Sequence, residues 1–115
     1  MEKKEFAWEY QYPFARFLEK VFGDKFERKY SLEGNGIFNL VKYNDKLYEI
    51  KFSETKKMAE ADNKAITDKN KAEIINLICE NLKNKWIVTG GKFIYFTLDS
   101  FVFKVEIIKK LKMPV

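Results

Sequence analysis

GIFNLVKYNDKLYEIKFS, Gly36 to Ser53, decides how this chain is read. Ile37, Asn39 and Val41 alternate with Phe38 and Leu40, and Tyr48, Ile50 and Phe52 alternate with Leu47, Glu49 and Lys51. Alternation with period two belongs to strands whose two faces meet different surroundings, so the stretch reads as two strands joined through Asn44-Asp45-Lys46. With a three-residue loop, Asn39 lies opposite Lys51 and Val41 opposite Glu49. All four then share one face, with Cα separations on the order of 5 Å across the pair and roughly 7 Å along a strand. The other face, with Phe38, Leu40, Ile50 and Phe52, is the more apolar and is expected to pack on helices.

Working outward, Phe14, Phe17, Leu18, Val21 and Phe22 recur at helical spacing and Gly23 follows as a C-terminal stop. An amphipathic helix is expected over about 6–22, with Pro13 in its first turn or at a kink. FERKYSLE then alternates Phe26, Arg28, Tyr30 and Leu32 against Glu27, Lys29, Ser31 and Glu33 as a half-buried strand, and GNG at 34–36 turns the chain. From Lys56 to about Lys83 the pattern is helical again, through Met58, Ala61, Ala65, Ile74, Ile75, Leu77, Ile78 and Leu82. The polar stretch Thr67-Asp68-Lys69-Asn70, with Asn70 and Glu73 resembling a helix start, leaves one helix or two open. WIVT, KFIYFTL and FVFKVEII read as three more strands, with Asp99-Ser100 and Gly90-Gly91 as turns. Thr89-Gly90-Gly91 lacks the lysine and following helix of a phosphate-binding loop, so it reads as a hairpin. The expected fold is α/β (α+β), one domain over 1–115 in the order α-β-β-β-α-β-β-β. It has a central mixed sheet with helices packed on it, and no internal repeat.

The 115 residues are enough for one core and too few for two ordinary domains. Eleven Phe, six Tyr and two Trp argue for dense packing, so Trp8, Tyr10, Tyr12 and Phe14 are read as core before they are read as base-stacking groups. The net charge of +5 suits contact with phosphate, although 17 acidic residues are spread among the basic ones. Arg28, Lys29, Lys56 and Lys57 are the candidate nucleic-acid contacts. Lys69 with Lys71, and Lys109-Lys110-Lys112, like Lys56-Lys57, read as solvated faces or as clusters that track a phosphate backbone. The single cysteine, Cys79, is expected to be a buried structural thiol. The absence of histidine removes Ser-His-Asp, Cys-His and histidine-ligated metal chemistry. No apolar run reaches the roughly 18 residues of a membrane span and the N-terminus lacks a signal-peptide pattern, so a cytoplasmic location is expected.

Any catalysis must therefore rest on carboxylates, lysine, hydroxyls and a hard metal. Glu49-Ile50-Lys51 places a carboxylate and an ammonium on one side of a strand, where Glu49 would hold Mg²⁺ or Mn²⁺ and Lys51 would orient the attacking water. Taken with the helix EYQYPFARFLEKVFG carrying Glu9, then FERKYSLEGNG and FNLVKYNDKLYEIK, this order resembles the PD-(D/E)xK nuclease superfamily, in particular its Holliday junction resolvases. The resemblance covers residues 9 to about 54 by pattern and the following helix and strand by order. It implies a restriction-endonuclease-like fold, DNA as partner, metal-dependent phosphodiester hydrolysis and a homodimer.

One position departs from the family pattern. The metal-binding aspartate matches Asn39 here, whose carbonyl has no charge with which to hold a divalent ion. Glu9, Glu33 and Glu54 are the acids that could replace it. The expected function is a DNA-binding protein of nuclease-like fold, active with Mg²⁺ or catalytically degenerate. The alternative is a small non-enzymatic phage or mobile-element protein that binds and inhibits a host protein. A third possibility is a structural subunit whose strands pair with their own kind.

Overall fold

Phe14, Leu18 and Phe22 recur every four residues and with Ala15 form a buried stripe, which makes Tyr12–Phe22 an amphipathic helix, α1. Pro13 sits in its first turn, where a missing N–H leaves no helical bond unmade. Gly23 ends it with φ of 60°, and its N–H donates back to the Glu19 carbonyl. A single 3-10 turn over Gly23–Lys25 leads into β1 (Phe26–Tyr30). β2 (Ile37–Tyr43), β3 (Lys46–Thr55), α2 (Lys69–Asn81), β4 (Trp86–Val88), β5 (Phe93–Leu98) and β6 (Phe101–Lys110) complete the expected order. The computed structural model describes residues 10–30, 37–55, 68–82, 86–88, 93–98 and 101–111. Outside them lie the expected helical residues 6–9 and 56–67 and the turns at 34–36, Gly90-Gly91 and Asp99-Ser100.

The six strands form one sheet in the order β1-β2-β3-β6-β5-β4. Every pairing in it is antiparallel, where a mixed sheet was expected. The cause is topological. Each run of three strands is a meander, and the two meanders meet where β3 and β6, ten residues each, pair from Leu47↔Lys110 to Thr55↔Val102. The chain is thus two α-β-β-β units side by side, an architectural repeat that no repeated sequence announces.

Both helices pack on the same face of this sheet. Phe14 stacks on Phe52 with ring centroids 4.3 Å apart, Phe52 lies 5.2 Å from Phe103, and Tyr10 lies 4.7 Å from Phe103. Leu18, Ile74 and Ile78 from the helices and Val41, Tyr48, Ile50, Ile94, Val105 and Ile107 from the sheet complete the core. Each such side chain is worth about 1.5–3 kcal/mol relative to leaving it exposed. Tyr10 and Phe14 are therefore core residues rather than base-stacking groups; Trp8 lies outside the described residues.

The β2–β3 turn overturns the expected register. Asn44 and Asp45 carry φ of 51° and 64°, the left-handed pair of a two-residue turn whose twist matches the flanking strands. Tyr43 then pairs with Lys46, Val41 with Tyr48 and Leu40 with Glu49. Shortening the loop by one residue exchanges the faces of one strand relative to the other. Val41 and Tyr48, both with no exposed surface, point together at the helices. Phe38 and Leu40, expected beside Ile50 and Phe52, point away from them.

Candidate functional site

Asn39, Glu49 and Lys51 do not share a face. Asn39 follows Val41 to the helix side and is 7% exposed, with no donor to its Oδ1. Glu49 and Lys51 lie on the far side of the sheet, the face on which, among the described residues, no helix packs. The sheet itself separates the carbonyl from the carboxylate, so the two cannot bind one ion. The expected opposition of Asn39 to Lys51 and of Val41 to Glu49 fails for the same reason, the two-residue turn.

On the far side, Glu49 is engaged by a cation. The Nζ of Lys110 lies 3.0 Å from its Oε1, with the Glu49 side chain 10% exposed and that of Lys110 33%. The strand pairing explains the contact: Leu47, two residues before Glu49, pairs with Lys110, so the β6 lysine reaches diagonally across to β3. The sequence places Lys110 in a basic cluster, solvated or tracking phosphate; the β3–β6 register that makes it a partner of Glu49 is not visible in either strand alone. Lys51 is exposed and stands directly opposite Glu106.

The other candidates also part company. Arg28 pairs with Asn39 on the helix side, half-buried, its guanidinium 5.7 Å from the centre of the Tyr12 ring. Lys29, the next residue, pairs with Phe38 on the far side. One surface therefore cannot use both as contacts. Glu54 is half-buried on the helix side, opposite Phe103. Glu9, Glu33, Lys56 and Lys57 lie outside the described residues. Among the described residues no group of three or more acids and cysteines could hold a metal ion, and no helix is long and apolar enough to cross a membrane.

The far face is ordered in rows across the strands. One row runs Lys42, Leu47, Lys110; the next runs Glu27, Leu40, Glu49, Ile108. Lys51 and Glu106 follow, then Ser53, Lys104 and Tyr95. Leu40 and Tyr95 are buried on this face, whereas Lys42 and Lys51 are exposed. Leu40 lines a notch of ≈ 100 Å³ with Asp24, Lys25, Glu27, Lys42 and Leu47.

A second polar cluster, on the helix side, was missed. Asp68 caps α2, accepting from the N–H groups of Asn70 at 2.9 Å and Lys71 at 3.4 Å, two residues before the Asn70 start that the sequence pattern suggests. Asn44 Nδ2 donates to Asn70 Oδ1 at 2.9 Å, tying the β2–β3 turn to the first turn of α2. Burial pushes the Asp68 pKa up, but the Lys71 N–H, the Tyr48 hydroxyl, the Asn70 N–H and the charge of Lys109 outweigh it and hold the carboxyl below its usual value. Burial raises the Tyr48 phenol, Asn70 opposing and Asp68 adding to it. Tyr43 is raised by its hydrogen bond to Glu73, then by burial. The half-buried thiol of Cys79 is raised by burial and by Glu80, which suits a structural role.

No family model, curated protein or solved structure matches the chain.

Proposed function

We propose that this chain is a non-catalytic nucleic-acid-binding protein whose contact surface is the sheet face away from the helices. The observation that carries the reading is the distribution of charge on that face. Lys29, Lys42 and Lys51 stand there against Glu27 and Glu106, beside the paired Glu49 and Lys110. With a net charge of +5 over the chain, the face suits a polyanion such as DNA. Binding without cleavage is favoured because Asn39 and Glu49, the pair on which the nuclease resemblance turns, lie on opposite sides of the sheet.

The test is DNA binding followed by fluorescence anisotropy across about 50 to 200 mM salt. Affinity should fall steeply with salt, and Lys42→Glu with Lys51→Glu should weaken it several-fold. Lys20→Glu, on the exposed side of α1, should leave it unchanged. Absence of salt-dependent binding would remove the proposal.

One feature favours a second reading. The row Glu27, Leu40, Glu49, Ile108 sets carboxylates and apolar groups among the lysines, a mixture that suits a protein partner. Binding and inhibition of a host protein would show the opposite signature, an association with little salt dependence.

A further inference from the structure

We infer that β1, at one end of the sheet, pairs antiparallel with β1 of a second copy of this chain about a two-fold axis through Arg28. Among the described residues β1 has a strand on one side only, β2. The N–H and C=O groups that point the other way are a template on which a further strand adds. A second copy is the occupant that the charges of this edge fit. In an antiparallel pair, residues standing opposite one another share a face, so β1 can pair with itself only in registers centred on a residue. Centred on Arg28, Glu27 of each copy stands opposite Lys29 of the other, and one interface carries two carboxylate–ammonium pairs. Centring on Glu27 sets that carboxylate against itself, and centring on Lys29 sets ammonium against ammonium. The charges select one register, and it is the one that pairs the whole of Phe26–Tyr30.

Glu27 is exposed and Lys29 half-buried on the face away from the helices. Among the described residues neither has an ion-pair partner within its own chain. The one like-charge opposition, Arg28 with its counterpart, falls on the helix side, where the guanidinium is drawn over the Tyr12 ring of α1, 5.7 Å from its centre. A two-fold axis perpendicular to the sheet keeps the helices of both copies on one side and doubles the six-stranded sheet. Lys42 and Lys51, on β2 and β3, stay outside the contact, so the pairing does not rest on the nucleic-acid reading above. A five-residue edge lies at the small end of interface sizes, and the association is accordingly weak.

The experiment is sedimentation of the full chain at low salt, from about 10 µM to about 1 mM. The mass should rise with concentration from 13.7 kDa toward twice that value. Glu27→Lys and Lys29→Glu, each alone, set like charges opposite one another at both pairs and should weaken self-association about tenfold or more. Mixed in equal amounts, the two variants should associate again, because the lysines of one then face the glutamates of the other. Circular dichroism shows whether each variant folds, and recovery in the mixture cannot come from an unfolded chain. Independently of any variant, amide hydrogens of 26–30 in the wild-type protein should exchange more slowly at the high concentration than at the low one. A monomer throughout the range, undiminished self-association of either folded variant, a mixture of folded variants that stays monomeric, or exchange in 26–30 that ignores concentration would each overturn the inference. Nucleic-acid binding is read separately, by the anisotropy test above, and stands or falls without it.

Discussion

The hydroxyl of Tyr48 lies 3.1 Å from Oδ2 and 3.3 Å from Oδ1 of Asp68, joining a fully buried position of β3 to the residue that caps α2. A second contact, from Asn44 in the β2–β3 turn to Asn70 in the first turn of α2, ties the same hairpin to the same helix end. Tyr48→Phe removes a hydrogen bond to a charged group and is expected to lower stability by about 1.5 kcal/mol. Asp68→Ala removes the cap as well and should lower it by roughly 2–3 kcal/mol. In urea unfolding, the double variant should be less destabilised than the two single losses added together, by about 1 kcal/mol. Strict additivity would mean that the contact carries no coupling.

Acid should weaken this junction. The Asp68 carboxyl lies below its ordinary value of 3.8 in the folded chain, so the unfolded chain binds its proton more readily. Stability therefore rises with pH through this window. The contribution is complete above that ordinary value and is lost as pH falls through the lower folded value. The stability difference between wild type and Asp68→Asn should be larger at about pH 6 than at about pH 3. Equal differences at both would show that Asp68 titrates normally.

Asn39 should be replaceable without loss of stability. Its Oδ1 is buried without a donor, and such an atom costs about 1–3 kcal/mol relative to a satisfied one. Asn39→Leu, of similar shape and apolar, is expected to match or exceed wild type by up to about 1 kcal/mol in thermal and urea unfolding. Asn39→Asp restores the acid that the nuclease pattern calls for, but on the wrong side of the sheet from Glu49. Calorimetric titration with Mn²⁺ should show no uptake created by that change, and uptake abolished by a further Glu49→Ala would contradict the separation of faces.

The Glu49–Lys110 pair should respond unequally to removal of its two ends. Glu49 is the more buried partner, so Lys110→Ala strands a carboxylate away from water and is expected to destabilise by roughly 2–3 kcal/mol. Glu49→Ala leaves the more exposed ammonium, which can turn to solvent, and should cost nearer 1 kcal/mol. Equal losses in chemical denaturation would indicate that burial does not set the balance.

The order of elements was legible in the sequence because each element depends on neighbours along the chain. The four-residue spacing of Phe14, Leu18 and Phe22 marks α1 and Gly23 its end. The two-residue alternation through Lys46–Thr55 and Phe101–Lys110 marks β3 and β6. Alternation divides a strand into two sides, however, and does not say which side meets the helices. In β2 both sides are partly apolar, Phe38 and Leu40 against Ile37 and Val41. Asn44 and Asp45 in left-handed conformation made the loop one residue shorter than expected, and that carried Asn39 to the helices and left Glu49 on the far face. The partners of Glu49 and Tyr48 come from segments well separated in sequence, Lys110 and Asp68. Only the joining of the two meanders and the docking of α2 bring them together, so the pairings that redefine the site belong to the tertiary structure alone.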